Sequence, residues 1–266
     1  MADIQPMEQF LIHKVSGLPS FGVTVPGLGY IDLSITNSVA TMFFAAALIC
    51  VVFLAAGRGK IVPGRLQAFG EILYDLADKG LTGPMIGDRG RPFLPYVFAL
   101  FSIIAVLNIW GIVPGQFTVT SQLAITITLA VVTFGMVIVV GFIRNGLSFF
   151  KLFVPGGVHW IMLLLVIPIE VISFMVRPVT LSMRLFGNMI GGHVVLYMFG
   201  SFVVAMAVFA SHGGLATFGF AGSALSLGMV VALSALELIV AFLQAFVFAA
   251  LTCTYLSDVV NLDHGH

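Results

Sequence analysis

Three polar side chains recur at intervals of seven in a stretch that is otherwise apolar: Glu170, Arg177 and Arg184. Seven residues is close to two turns of an α-helix, so on a helix all three line one face. Asn188, four residues beyond Arg184, falls near the same face. His193, nine beyond it, falls about half a turn round and faces away. A later apolar stretch repeats the interval with Glu237 and Gln244. A guanidinium keeps its proton in a protein, so Arg184 is a permanent charge between long apolar flanks. An arginine at the centre of a membrane helix costs about 2.5–3.5 kcal/mol on insertion scales, and such a residue faces a polar cavity, a partner charge or an ion path. His193 and Glu237 both titrate, and a histidine with a carboxylate at membrane depth is the composition of a proton relay. Pairing that merely holds helices together is the competing role. It suits Glu170 and Arg177, near a helix end where snorkelling is cheap, better than it suits Arg184, His193 and Glu237.

The rest of the chain must hold these groups inside a bilayer. Its 266 residues are 60% hydrophobic and only 8% charged, against about 25% charged in an ordinary soluble domain. Mean hydropathy is +1.14. The apolar runs are too long and too continuous for the alternating ten-residue segments of a membrane barrel. The composition therefore implies an all-α polytopic membrane protein. A net charge of zero leaves no basic footprint for nucleic acid. Cys50 and Cys253 sit singly in apolar runs and read as small packing residues. No metal-ligand spacing or phosphate-cradling loop is present, so no cofactor is expected. Gly27–Leu28–Gly29 and Gly213–Gly214 lack the strand–turn–helix context. Asp3, Glu8, His13 and Lys14 are scattered through the N-terminal segment, which does not read as a cleaved signal peptide.

The chain divides into an extramembrane segment over 1–34, with room for one short amphipathic turn, and a single membrane domain over 35–266. Residues 35–57 are long enough to span a bilayer, which takes about 20 residues. Residues 64–83 read as an amphipathic surface helix: Leu66, Phe69, Leu73 and Leu76 form a stripe that Glu71, Asp75 and Asp78 avoid. Residues 93–143 form a hairpin of two spans, 93–114 and 121–143, turning at Pro114–Gly115. The runs over 156–212 and 217–258 are too long for single upright helices. Each is either a tight pair of spans or one long, steeply tilted helix. Polar residues strung along the first run favour tilt beside a polar path. His159, His212, His264 and His266 lie near turns or the terminus and read as solvated.

At these residues the sequence resembles subunit a of F-type ATP synthases. The motifs are Arg184–Leu185–Phe186–Gly187–Asn188–Met189 with Gly192–His193 after it, and Leu243–Gln244–Ala245–Phe246–Val247–Phe248 running on to Thr254–Tyr255–Leu256. Asn108–Ile109–Trp110–Gly111–Ile112–Val113–Pro114 is similar to the family's hairpin corner, and Glu8–Gln9–Phe10 to the start of many bacterial members. Together these cover nearly the whole chain. The resemblance implies one N-terminal span, an amphipathic surface helix, a hairpin and two long tilted helices. It implies a proton-translocating stator with two offset half-channels, which is not an enzyme on its own. Its partners would be the c-ring, b-type peripheral-stalk subunits and the remainder of the F1F0 complex. The family's essential arginine falls on Arg184 and its glutamine partner on Gln244. The outer half-channel falls on His193 and Glu237, with Asn188 and Glu170 further along the path. Many bacterial members place the carboxylate nine after the arginine and the histidine seven before the glutamine; here the two are exchanged. A stand-alone channel or transporter, with Arg184 clamping a substrate carboxylate, and a purely structural scaffold are the alternatives. The absence of a visible internal repeat weakens the transporter.

Orientation follows from the basic residues. Eight of the eleven lie in 58–91 and 144–151, on one side if 93–143 is a hairpin. The positive-inside rule puts them, and the C-terminus, in the cytoplasm or matrix, with the N-terminus outside. The location is then a bacterial cell inner membrane, or alternatively a mitochondrial one. Cysteines introduced at Gly59 and Asn145 should react with an impermeant thiol reagent from the cytoplasmic side only, and one at Gly17 only from the other. Labelling of positions 59 and 17 from one face would refute the single first span.

Overall fold

Long runs of apolar residues become helices because a bilayer core offers no water to satisfy backbone polar groups, so each segment must satisfy its own. The computed structural model describes residues 22–25, 29–32, 34, 36–57, 64–113, 116–154, 160–211 and 219–262. Among the described residues, five apolar helices are long enough to cross a membrane: α1 (Asn37–Ala56), α4 (Leu94–Ile112), α5 (Leu123–Asn145), α6 (Trp160–Ala210) and α7 (Gly219–Val260). The membrane part is all-α and polytopic. Between α1 and α4, α2 (Arg65–Ala77) continues through a π-helical turn, Asp78–Thr82, into the short α3 (Gly83–Ile86). A 3-10 segment, Asp88–Phe93, then leads into α4.

Within the 1–34 segment the described residues form two strands that the sequence reading did not anticipate. Strands β1 (Gly22–Val25) and β2 (Gly29–Asp32) pair antiparallel, Val23 opposite Ile31 and Val25 opposite Gly29. Val23 and Val25 are β-branched and the intervening Pro26–Gly27 favours a turn, so the local chemistry suits a ribbon. The Glu8–Gln9–Phe10 start, Arg58, Lys60, the Pro114–Gly115 turn and the four peripheral histidines lie outside the described residues.

The two longest runs are each one helix, of 51 and 42 residues. At 1.5 Å per residue they measure about 75 and 63 Å, against a hydrocarbon core of about 30 Å, so an embedded helix of this length must tilt steeply. Pro168 and Pro178 lie inside α6, where each removes one backbone donor. The helix nevertheless runs on through both, and Phe174 and Leu181, on either side of Pro178, pack into the core.

The core is apolar. Val97, Phe101 and Ile104 of α4 meet Ala130 and Val137 of α5, Leu181 and Leu185 of α6, and Phe248 and Leu256 of α7. Helix α1 stands to one side. It touches α4 through Phe53–Phe98, with ring centroids 4.8 Å apart, and Phe44–Trp110 at 4.4 Å. Helix α2 lies across both: a Cβ on its Gly70 would stand 3.0 Å from the Ala56 Cβ. Of the expected apolar stripe, Leu73 and Leu76 pack inward and Leu66 and Phe69 are exposed. Glu71 and Asp75 are exposed, and Asp75 accepts a 2.7 Å hydrogen bond from Lys79 that pushes the lysine pKa up.

One contact in this bundle leaves no slack. A Cβ on Gly141 of α5 would stand 2.5 Å from Phe149 Cδ2 and 3.0 Å from Val259 Cγ1. Gly141→Ala should destabilise the fold by about 1–3 kcal/mol, the usual cost of overpacking. Gly135→Ala on the same helix, with nothing within 4 Å of the new methyl, should leave the thermal unfolding midpoint unchanged. Equal midpoints for the two variants would show that the α5–α7 contact is not tight.

Candidate functional site: a polar seam between the two long helices

Helices α6 and α7 run antiparallel, and three contacts fix their register. At one end Arg177 Nη1 donates to Asp258 Oδ2 at 2.8 Å, its guanidinium lying over the rings of Tyr255, at 5.0 Å, and Phe174, at 5.4 Å. In the middle, His193 Nδ1 lies 3.7 Å from Glu237 Oε1, with both side chains nearly buried. At the far end Ser223 Oγ donates to the Val203 carbonyl at 3.0 Å.

Glycine makes the central approach possible. A Cβ on Gly192 would stand 2.7 Å from Glu237 Oε1, so any side chain there would push the carboxylate away. On its other side His193 meets the hairpin corner: Nε2 is 3.0 Å from Thr118 Oγ1, and that hydroxyl donates to the Gly111 carbonyl at 3.2 Å. Helix α4 adds Asn108, whose Nδ2 donates to the Ala241 carbonyl at 3.2 Å. Glu237, Ala241 and Gln244 follow one another at helical spacing on α7, all buried. Among the described residues the Glu237 carboxylate oxygens, Asn108 Oδ1 and Gln244 Nε2 have no hydrogen-bond partner. Buried polar atoms are otherwise nearly always satisfied, so these stand out as a polar seam in an apolar core.

Arg184 is elsewhere. Leu181, Leu185 and Met189 of α6 turn inward and are fully or almost fully buried. Arg184, Gly187 and Gly191 are exposed on the opposite side of the helix. Among the described residues Arg184 forms no hydrogen bond or ion pair. His193 is about 13 Å further along the axis and on the other face. Asn188 and Glu170 are half-buried.

The expected residues thus divide. His193 and Glu237 come together. Glu170, Arg177 and Arg184 share a seven-residue interval but not an environment, since Arg177 pairs with Asp258 of α7 and Arg184 is exposed without a hydrogen bond among the described residues. Arg184 and Gln244 are not hydrogen-bonded to each other; interpolating between the Arg177–Asp258 and His193–Glu237 contacts sets Gln244 level with Asn188. Two residues were not singled out from the sequence. Asp258 continues the sevens of Glu237 and Gln244, a signal that was available. Thr118 lies in a turn, where only the cluster Thr118, Thr120, Ser121 hinted at buried hydroxyls. Among the described residues no group of three His, Cys, Asp or Glu converges as a metal site.

Known proteins are similar to this chain over nearly its whole length. The family model described as ATP synthase A chain matches residues 39–257. A protein of Rhodopseudomonas palustris (strain HaA2) named ATP synthase subunit a is 46% identical over 259 residues, covering 97% of this chain and 98% of the relative. A protein of the same name from Mesorhizobium japonicum is 46% identical over 265 residues, 98% of each chain. Another from Nitrobacter winogradskyi is 45% identical over 254 residues, 95% of this chain and 98% of its own. The family match runs from α1 into α7, across Arg184, His193, Glu237 and Gln244, and on that extent the chain belongs to the ATP synthase A chain family.

Proposed function

We propose that this subunit is the proton-translocating stator of the F0 sector, with Arg184 facing a rotor ring and the His193–Glu237 pair serving one of two half-channels. Family and relatives make it a bacterial multi-pass membrane protein and a subunit of ATP synthase rather than an enzyme by itself. The observation that carries the finer reading is the position of Arg184: a permanent charge, exposed on the outward face of an embedded helix. In lipid such a group needs an opposite charge from another chain. Gly187 and Gly191 beside it present no side chain, so a neighbouring helix can approach closely.

The chemistry follows from the two environments. A ring carboxylate facing lipid must be neutral, because an ionised one is too costly there. Beside Arg184 the ionised form is favoured by the opposite charge. The carboxyl therefore sheds its proton on reaching the arginine and regains one on leaving it. The fixed charge of Arg184 also repels a hydrated proton and blocks leak between the half-channels. With basic loops in the cytoplasm, α6 runs outward, so His193 and Glu237 belong to the outer path and Glu170, on the other side of Arg184, to the inner one. Asn188, a turn beyond the arginine, continues the polar line. Gln244 stands within about one turn of Arg184's level, close enough for two long side chains to meet when the ring is in place. The other partners are the b-type stalk subunits and the remainder of F1F0.

Arg184→Ala in the assembled complex should abolish ATP-driven proton pumping; normal coupled pumping would sink the assignment. His193→Ala or Glu237→Gln should slow passive proton conduction in membrane vesicles while the complex still assembles. The exchanged double variant, His193→Glu with Glu237→His, should conduct better than either exchange alone. If it is no better than the worse single, the two residues are not one relay.

A further inference from the structure

We propose that Thr118 is a positioning residue that holds the proton of His193 on Nε2, so that Nδ1 is the nitrogen exchanging protons with Glu237. This rests on the relay reading of the His193–Glu237 pair and adds which atoms of the pair do the work, and what selects them.

The argument is one of donors and acceptors. Thr118 Oγ1 lies between two groups, the Gly111 carbonyl at 3.2 Å and His193 Nε2 at 3.0 Å. A hydroxyl has one hydrogen to donate and lone pairs with which to accept. The carbonyl can only accept. It is among the last four of α4, which have no partner within the helix itself. If the hydroxyl donated to Nε2 instead, its oxygen would set a lone pair against that of the Gly111 carbonyl. The one arrangement that satisfies all three groups has Thr118 donating to Gly111 and accepting from Nε2–H. A neutral imidazole has a single N–H, so Nδ1 is then its basic nitrogen. Nδ1 is also the nitrogen that faces Glu237 Oε1, at 3.7 Å, a gap that a small movement of the carboxyl closes. In the transfer, the Oε1–H bond of Glu237 breaks as an Nδ1–H bond forms, leaving carboxylate and imidazolium. The reverse step restores both, and Nε2 keeps its proton throughout.

The setting is built for this. A Cβ on Gly111 would stand 2.7 Å from Thr118 Cγ2 and 3.1 Å from its Oγ1, as one on Gly192 would crowd Glu237. Glycines thus seat the groups on both sides of the imidazole. Among the described residues, the charged and titratable groups at the pair come from α6 and α7, and the hairpin side gives Thr118, Gly111 and Asn108.

The experiment uses the assembled complex, labelled with 15N-histidine and reconstituted in liposomes. The His193 signal is assigned by difference from His193→Ala. Solid-state NMR reads which ring nitrogen bears the proton, and decay of a pH gradient reads conduction. In the unaltered complex His193 should be the Nε2–H form. Thr118→Val, nearly the same shape without the hydroxyl, should give mixed tautomers and about tenfold slower conduction, less than the ~10²–10⁴-fold contribution of a whole proton-transfer group. Thr118→Ser should retain both properties. Gly111→Ala should resemble Thr118→Val, and adding Thr118→Ser, which removes the closest clashing atom, should restore conduction. An Nδ1–H form in the unaltered complex, or an unchanged tautomer in Thr118→Val, overturns the positioning role. Tautomers that follow Thr118 as stated, together with full conduction by His193→Ala, overturn the relay and the exchange with Glu237.

Discussion

The antiparallel contact of α6 with α7 is the interaction on which the rest depends. Each helix is too long to stand upright in a bilayer and carries polar groups that lipid cannot satisfy. Pairing solves both problems together. Arg177 finds Asp258, His193 finds Glu237, and Ser223 finds a backbone carbonyl, three contacts spread along the pair. In a low dielectric, removing one member of a charge pair leaves an uncompensated charge. The same contacts that hold the helices together therefore also hold their register, and the register decides which groups of the seam meet. The hairpin of α4 and α5 closes the inner side with a packed apolar core and adds Asn108 and Thr118 where the seam passes it.

Helix α6 keeps two kinds of chemistry apart by using opposite faces. Its inward face is Leu181, Leu185 and Met189, then His193. Its outward face is Arg184, Gly187 and Gly191. A rigid helix fixes the offset between these faces at about 13 Å along the axis, without any loop having to hold it.

Much of this was legible in the chain. The spans are apolar runs bounded by charge or by Gly and Pro, and their ends fall within a few residues of the helices found. The meeting of His193 with Glu237 follows once α6 and α7 are antiparallel and the resemblance, which makes Gln244 the partner of Arg184, sets their register. The continuity of α6 was harder to read, because a run of that length suits either a tight pair of spans or one tilted helix, and spacing alone does not choose between them. The β1–β2 ribbon was missed because Gly and Pro drew attention away from Val23 and Val25. The partner of Arg177 was hidden for a different reason. Periodicity reports which residues share a face of a straight helix, but it is silent on which face meets a neighbour. Thr118 could not be found at all from spacing: it is brought to His193 by a turn, whose path no periodicity encodes.

The outward face of α6 bears on how the subunit comes to be made. In a bilayer holding this chain alone, the Arg184 guanidinium would be left to lipid, and the helix would either ride toward the headgroups or draw water into the core. Neither adjustment suits α6, because its register with α7 is already fixed on the other side. On the function proposed above, that charge is met when the rotor ring brings a carboxylate to its depth. Biogenesis would then have a direction: a ring already in the membrane gives the newly inserted chain somewhere to settle, whereas the reverse order leaves a charge in lipid.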